Sequence, residues 1–211
     1  MRGLKVKGVG PCGIGGRAGQ KLKGVIGVKT KVTKVFMNYE KEEDWLNKMS
    51  SKGLALTRFF FMRYTFEDCE PGEYIYRIEL LDHVPWNPKS RKYIDFMEDN
   101  GVEFVDSYVR WVYFRKKATD GPFDIYSDID SKMAHYKRVA TLWFVLACAE
   151  IGVGLPNVAI WMEWLGNGDD GTILNLIGGL VLLFFSAVFF TQWNIMRKKI
   201  KRLKEEKGLR E

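Results

Sequence analysis

The sequence predicts an α+β fold: a ferredoxin-like β-α-β-β-α-β cytosolic sandwich followed by a two-helix transmembrane hairpin. Three observations lead there. Between Thr30 and Lys117, β-branched and aromatic runs alternate with two amphipathic stretches. Residues 139–165 and 171–193 are mostly apolar, each about the twenty residues needed to cross roughly 30 Å of hydrocarbon. Cations flank this pair of runs, and none lies between them.

Residues 1–29 are expected to be a disordered basic tail. The stretch is rich in Gly and cations, has no acid before Val28, and is poor in bulky apolar residues. Gly13 to Ala18 has the spacing G-x-G-x-x-A, but Pro11 and the lack of a preceding strand exclude a dinucleotide loop. No apolar core of a signal peptide is present. "VKTKVTKVF" from Val28 reads as a natural beginning, which would make the preceding residues upstream translated sequence.

Residues 30–127 are expected to form the cytosolic domain. "TKVTKVFMNY" reads as a strand. "EKEEDWLNKMSSKG" opens with acids and closes on Gly53, with Trp45, Leu46 and Met49 on one face, so it reads as a helix with Trp45 beneath the sheet. "LALTRFFFMRYTFED" and "EYIYRIELLD" read as two strands around the turn "CEPG". "NPKSRKYIDFMEDNG" places Pro88 in the first turn of a second helix and Gly101 at its stop. "VEFVDSYVRWVYFRKK" reads as one final long strand. This order predicts four strands covered on one face by two helices, with the other face open.

Residues 128–138 read as a juxtamembrane helix and 139–165 as the first membrane helix. An external loop (166–170), the second membrane helix (171–193) and a basic cytosolic tail (194–211) follow. Lys132, Lys137 and Arg138 before the first span, and Arg197, Lys198, Lys199, Lys201 and Arg202 after the second, predict that both termini face the cytoplasm of a cell membrane. The second group reads as an anchor to anionic lipid at the membrane surface. Two buried core helices of a soluble protein are the alternative reading.

The chain of 211 residues carries a net charge of +7, but the excess sits at its ends. The body from 28 to 193 is mildly acidic, which excludes a nucleic-acid surface. Cys12, Cys69 and Cys148 are far apart and odd in number, which argues for free thiols. No cofactor or metal is expected, and no nucleophile–base pair suggests an enzyme.

"YEKEEDWLNKMSSKG", "EPGEYIYRIELLD", "YVRWVYFRKK" and "DGPFDIYSDIDSKMAHYKR" together resemble the bacterial family called domain of unknown function 2812, over about Val32 to Arg138. The resemblance implies a cytosolic module on a membrane hairpin, often encoded beside PadR-type regulators, with no assigned activity.

Strand alternation would put Arg63, Arg77 and Arg110 on the open sheet face beside Phe61 and Tyr108. Arginine forks with aromatics suit an acidic peptide or small anion. An ordinary solvated face, with the arginines paired to Glu79 and Asp106, is the alternative. In the spans, Glu150 lies deep in the first helix, with Ser186 at similar depth on the second. An intramembrane acid marks a function by default; otherwise it is protonated or faces a helix contact or oligomer seam. Gly152, Gly154, Gly178 and Gly179 offer small-residue packing. The expected function is a membrane-tethered sensor or regulatory module that binds lipid and a protein partner. The alternative is an accessory subunit of a larger membrane complex or transporter, acting through the hairpin.

Overall fold

A computed structural model describes residues 29–166 and 173–209. The expected tail before Lys29 and most of the expected external loop lie outside the described residues. The elements run β1 (Thr30–Thr33), α1 (Tyr39–Ser50), β2 (Leu54–Phe60), β3 (Arg63–Asp68), β4 (Tyr74–Leu80), α2 (Pro88–Asp99), β5 (Glu103–Tyr108) and β6 (Trp111–Lys117). A short 3₁₀ turn at Ala118–Asp120 then leads to α3 (Ile129–Gly166) and α4 (Ile173–Gly208).

The α+β class and both amphipathic helices are as expected. Asn38 caps α1, its Oδ1 accepting from the Glu40 N–H at 2.9 Å; Asn87 caps α2 in the same way, with Pro88 in the first turn. Gly53 (φ +79°) and Gly101 (φ +78°) follow the helix ends.

The strand arrangement differs from a single four-stranded sheet. The two longest predicted strands each fold back on themselves, at Phe61–Met62 and at Val109–Arg110. Two antiparallel three-stranded sheets result, ordered β1-β3-β2 and β4-β6-β5. An unbroken fifteen-residue strand would run about 50 Å, far past any helix able to cover it. Folding back brings both arms under α1. The sheets adjoin where β2 meets β5. The Phe59 N–H donates to Asp106 Oδ2 at 2.8 Å, and Arg115 Nη1 reaches the Leu56 carbonyl at 3.3 Å. Each strand has a bulge there, at Leu56/Arg58 and Phe104/Asp106.

The expected open sheet face is corrected as well. Val112, Tyr113 and Phe114 are consecutive residues of β6, and all are buried. Tyr113 packs with Leu46, Leu56, Tyr64, Phe66, Tyr76 and Ile78 beneath α1. Val112 and Phe114 pack on the opposite face with Ile94 and Met97 of α2. The second sheet is therefore covered on both faces, which a strand reveals by near-continuous burial rather than alternation. Trp45 lies where expected, edge-on to Tyr64 at 4.7 Å and to Phe66 at 5.7 Å.

The segment expected beside the membrane (128–138) and the first apolar run form one helix, α3. The second run and the basic tail form another, α4. The two helices run antiparallel. Ser186 Oγ donates to the Ala147 carbonyl at 3.0 Å, Trp143 packs on Phe189 at 5.4 Å, and Lys207 pairs with Asp130 at 2.8 Å. At their closest approach, a Cβ on Gly179 would lie 2.7 Å from Val158 Cγ2 and 2.9 Å from the Gly154 carbonyl oxygen.

Candidate functional site

The outer edge of β4 is the feature that joins the domain to the long helices. β6 occupies its other edge, so the backbone groups of Tyr74, Tyr76, Ile78 and Leu80 need partners. Side chains supply them. Ser50 Oγ donates to the Tyr74 carbonyl at 2.7 Å and accepts from its N–H at 3.2 Å. Asn47 does the same for Tyr76, accepting at 2.8 Å and donating at 3.3 Å. Glu43 Oε1 accepts from the Ile78 N–H at 2.7 Å. Residues 43, 47 and 50 share one face of α1, so a polar helical stripe runs along the strand.

α3 completes this edge. His135 Nε2 accepts from the Leu80 N–H at 3.1 Å, and Arg138 Nε donates to the Leu80 carbonyl at 2.9 Å. These residues are three apart on a helix, so both face the strand. The imidazole is fully buried, stacked on Tyr126 at 5.3 Å and edge-on to Tyr39 at 5.1 Å. Burial, and then the nearby Arg138 charge, push its pKa down to about 3. The ring is therefore neutral. Since Nε2 accepts, Nδ1 carries the proton, and it has no hydrogen-bond partner among the described residues.

Arg138 also donates to buried Glu79 at 3.0 Å and to Asp82 at 3.4 Å. Glu79 Oε2 accepts from the Tyr93 hydroxyl of α2 at 2.7 Å. Burial raises the Glu79 pKa, while Tyr93 and Arg138 favour the anion. Arg138 thus ties α3 to β4 and, through Glu79, to α2. A polar cleft of about 620 Å³ opens beside it, bordered by Asp82, His83, Lys89 and Ser90. α4 joins from the other side: Glu40 accepts from Tyr136 at 2.9 Å and pairs with Lys199.

The three arginines singled out in the sequence are not brought onto one face. Arg63 is exposed on β3 of the first sheet. Arg77 is on β4 of the second, its Nη1 donating to the Tyr76 carbonyl at 2.9 Å. Arg110 lies in the β5–β6 turn, where Nε donates to the Leu81 carbonyl at 2.8 Å. Glu79 and Asp106 are engaged elsewhere, as above. Phe61 and Tyr108 do meet, with ring centroids 6.3 Å apart. Phe61 does not share a strand face with Arg63, because it sits in a turn.

Of the expected surface cations, Arg197 stacks over Trp193 at 4.8 Å and Lys201 lies 3.8 Å from Glu205. Lys199 is held by Glu40, while Lys198 and Arg202 are exposed. Within the apolar stretch, Ser186 bonds to Ala147 rather than to Glu150. Glu150 is half-buried, with no hydrogen-bond or ion-pair partner among the described residues. Gly154 and Gly179 form the helix crossing; Gly152 and Gly178 face open space.

The sequence alone placed Arg138 only among the cations that orient the first span, and gave no role to His135 or to the Glu43–Asn47–Ser50 stripe. The signal was present as a polar row at helical spacing beside the Trp45–Leu46–Met49 face, and as a His-x-x-Arg step just ahead of an apolar run. Residues 38–148, just over half of the chain, match a family described as protein of unknown function (DUF2812). No curated protein and no solved structure matches the chain.

Proposed function

The chain belongs to the DUF2812 family of proteins of unknown function, and from that premise we propose that it is a membrane-tethered regulatory or sensor module without a reaction of its own. In this reading α3 and α4 cross the cell membrane with both termini in the cytoplasm. The β-sheet domain engages a protein partner there, and the state of the helices biases that engagement.

One observation carries the proposal: the helix that enters the apolar band also completes the β4 edge, through His135 and Arg138 on Leu80. A shift of α3 along its axis would break bonds in the domain itself, which is the coupling a membrane sensor needs. Two further features support the membrane reading. The helices have apolar windows of mean hydropathy 1.8 and 2.5. Their large exposed apolar side chains run from Phe144 to Leu165 and from Ile173 to Phe190, about 33 Å and about 27 Å of helix, close to the thickness of the hydrocarbon core.

Two experiments test this. A reporter fused after Glu211 should be active only in its cytoplasmic form, and one inserted between Gly166 and Gly171 only in its exported form; the opposite pattern defeats the orientation. Full-length chain, solubilised in detergent, should capture the same partner before and after residues 139–193 are exchanged for an unrelated hairpin. Loss of capture on exchange would favour a second reading, an accessory subunit of a larger membrane complex. Glu150, without a partner among the described residues, and the open Gly152 and Gly178 on the helix surfaces support that alternative.

A further inference from the structure

The two hairpin turns carry residues that their backbone geometry does not favour. Phe60 pairs with Arg63, leaving the two-residue turn Phe61–Met62 with φ of +36° and +66°. Such turns ordinarily take Asn-Gly, because a Cβ is strained at positive φ. Val109 in the second turn has φ +57°, an outlier for a β-branched residue. Backbone strain persists where something else is gained from the side chain. Of these side chains, Met62 is half-buried, but Phe61 (56% exposed) and Val109 (59% exposed) gain little by packing, and the adjoining Phe60 is 64% exposed.

The turns lie side by side. The Tyr108 ring is 6.2 Å from Phe60 and 6.3 Å from Phe61. They also lie against the long helices near the domain-side end of the apolar band: Phe61, Met62 and Tyr108 share an apolar cavity of about 210 Å³ with Trp143 of α3 and Met196 of α4. Trp143 is next to Phe144, where the exposed apolar band begins, and Arg197 stacks on Trp193 at the matching level of α4. Indoles and arginines of this kind mark a headgroup boundary. Between the second turn and α3, a cleft of about 360 Å³ is lined by Arg110, Lys137 and Arg138, with Leu142 and Val145 further along the helix. Cations leading onto apolar side chains complement an anionic phospholipid, phosphate first and acyl chain beyond.

We propose that the tips of the two hairpins, Phe60–Phe61–Met62 and Val109, insert into the cytoplasmic leaflet beside α3 and form a third membrane contact. The occupant of this exposed apolar surface is the bilayer itself, in continuity with the helices. The proposal rests on the membrane-spanning reading of α3 and α4. Its consequence is that the domain is held at two places, through the β4 edge and through the turns, and is fixed in orientation against the lipid.

The test uses full-length chain with Cys12, Cys69 and Cys148 replaced by alanine, in vesicles of phosphatidylcholine and phosphatidylglycerol. An environment-sensitive fluorophore is placed on one new cysteine at a time: Phe61→Cys, Val109→Cys, Glu98→Cys as a water control on exposed α2, and Phe184→Cys within the apolar band. Labels at 61 and 109 should be blue-shifted and quenched by lipids brominated near the headgroup. The label at 184 should be quenched by bromines deep in the chain, and the label at 98 by neither. Labels at 61 and 109 that behave like 98 while 184 is quenched overturn the insertion but leave the anchor. A blue shift without quenching overturns it too, since protein rather than lipid then covers the turn. An unquenched label at 184 removes the membrane-spanning reading and this inference together. In a second variant, Phe61→Asn with Met62→Gly, the turn takes its preferred residues. The unfolding midpoint should rise while the label at 109 moves toward water; a lower midpoint would show that Phe61 and Met62 are structural, and would defeat the proposal.

Discussion

His135 on α3 accepts a hydrogen bond from the backbone N–H of Leu80 on β4, 3.1 Å away, and so completes the edge of a strand that lies more than fifty residues earlier in the chain. The bond joins the helix that begins the apolar band to the β-sheet domain. It is made by a buried neutral ring held in an aromatic cage, so its strength depends on that ring staying uncharged.

Stability should therefore depend on His135 in a definite direction. The folded pKa is about 3 against an ordinary 6.5, so between these values the unfolded chain binds the proton and the folded chain does not. The contribution is complete above pH 6.5 and is lost as pH falls toward 3, on the order of 3 kcal/mol by pH 4. His135→Gln keeps an acceptor for Leu80 and should flatten this slope. His135→Ala leaves the N–H without one and should cost about 1–3 kcal/mol or more at pH 7. Urea unfolding of the full chain in detergent at several pH values measures both; identical slopes for wild type and the Gln variant would refute the assignment.

Glu42 should prove to be a strut between the sheets. Its Oε1 accepts from Tyr64 of β3 and from Tyr113 of β6, each at 2.7 Å, and these strands belong to different sheets. Burial raises its pKa, while both hydroxyls favour the anion. Glu42→Ala strands two buried hydroxyls and should cost roughly 3 kcal/mol or more, against about 1–2 for Tyr64→Phe or Tyr113→Phe. A double-mutant cycle of Glu42→Ala with Tyr113→Phe should give a coupling of about 0.5–3 kcal/mol. Strict additivity would show that the bond carries no weight.

The elements that announced themselves in the sequence are those fixed by local rules. The acidic start of α1, Pro88 in the first turn of α2, the stops at Gly53 and Gly101, and the apolar runs of α3 and α4 depend on neighbours a few residues away. What was hidden depends on distant partners. Phe61–Met62 and Val109–Arg110 contain no Gly, Asn or Pro, so nothing in the sequence signals a turn. With both turns unseen, Arg63, Arg77 and Arg110 fell onto one imagined open sheet face. Glu42, Glu43 and His135 look like ordinary helix-surface residues until the strands they serve are in view.

Of Gly152, Gly154, Gly178 and Gly179 on the long helices, two should matter. Gly179→Ala would set its Cβ 2.7 Å from Val158 and 2.9 Å from the Gly154 carbonyl oxygen, and Gly154→Ala would meet Leu183 at 3.1 Å. Either should push the helices apart and lower stability by about 1–3 kcal/mol. Gly152→Ala and Gly178→Ala meet nothing within 4 Å. They should be neutral, or stabilising by up to about 1 kcal/mol through helix propensity. Unfolding of the full chain in mixed micelles separates the pairs. Equal losses at all four positions would mean that Gly152 and Gly178 face a further helix, as an accessory-subunit role requires.

Glu43 should titrate in the opposite sense to His135. Burial pushes its pKa up to about 7, against the Ile78 N–H and Arg77, which both favour the anion. From pH 4.5 to 7 the folded chain holds a proton that the unfolded chain has released, so this contribution is complete below pH 4.5 and is lost as pH rises through 7. Above pH 7 the fold carries a half-buried carboxylate on the β4 edge. Glu43→Gln keeps an oxygen for Ile78 without the charge, and should be more stable than wild type at pH 8 by roughly 1–2 kcal/mol, after allowing for solvent around a half-buried group. Near pH 4.5 the two should converge. The His135 slope is common to both proteins and cancels in their difference, so urea midpoints at pH 4.5, 6 and 8 isolate the Glu43 contribution. A Gln variant that is less stable at pH 8, or a difference that does not change with pH, would mean that the carboxylate is stabilised where it stands and that the β4 edge prefers the charged form.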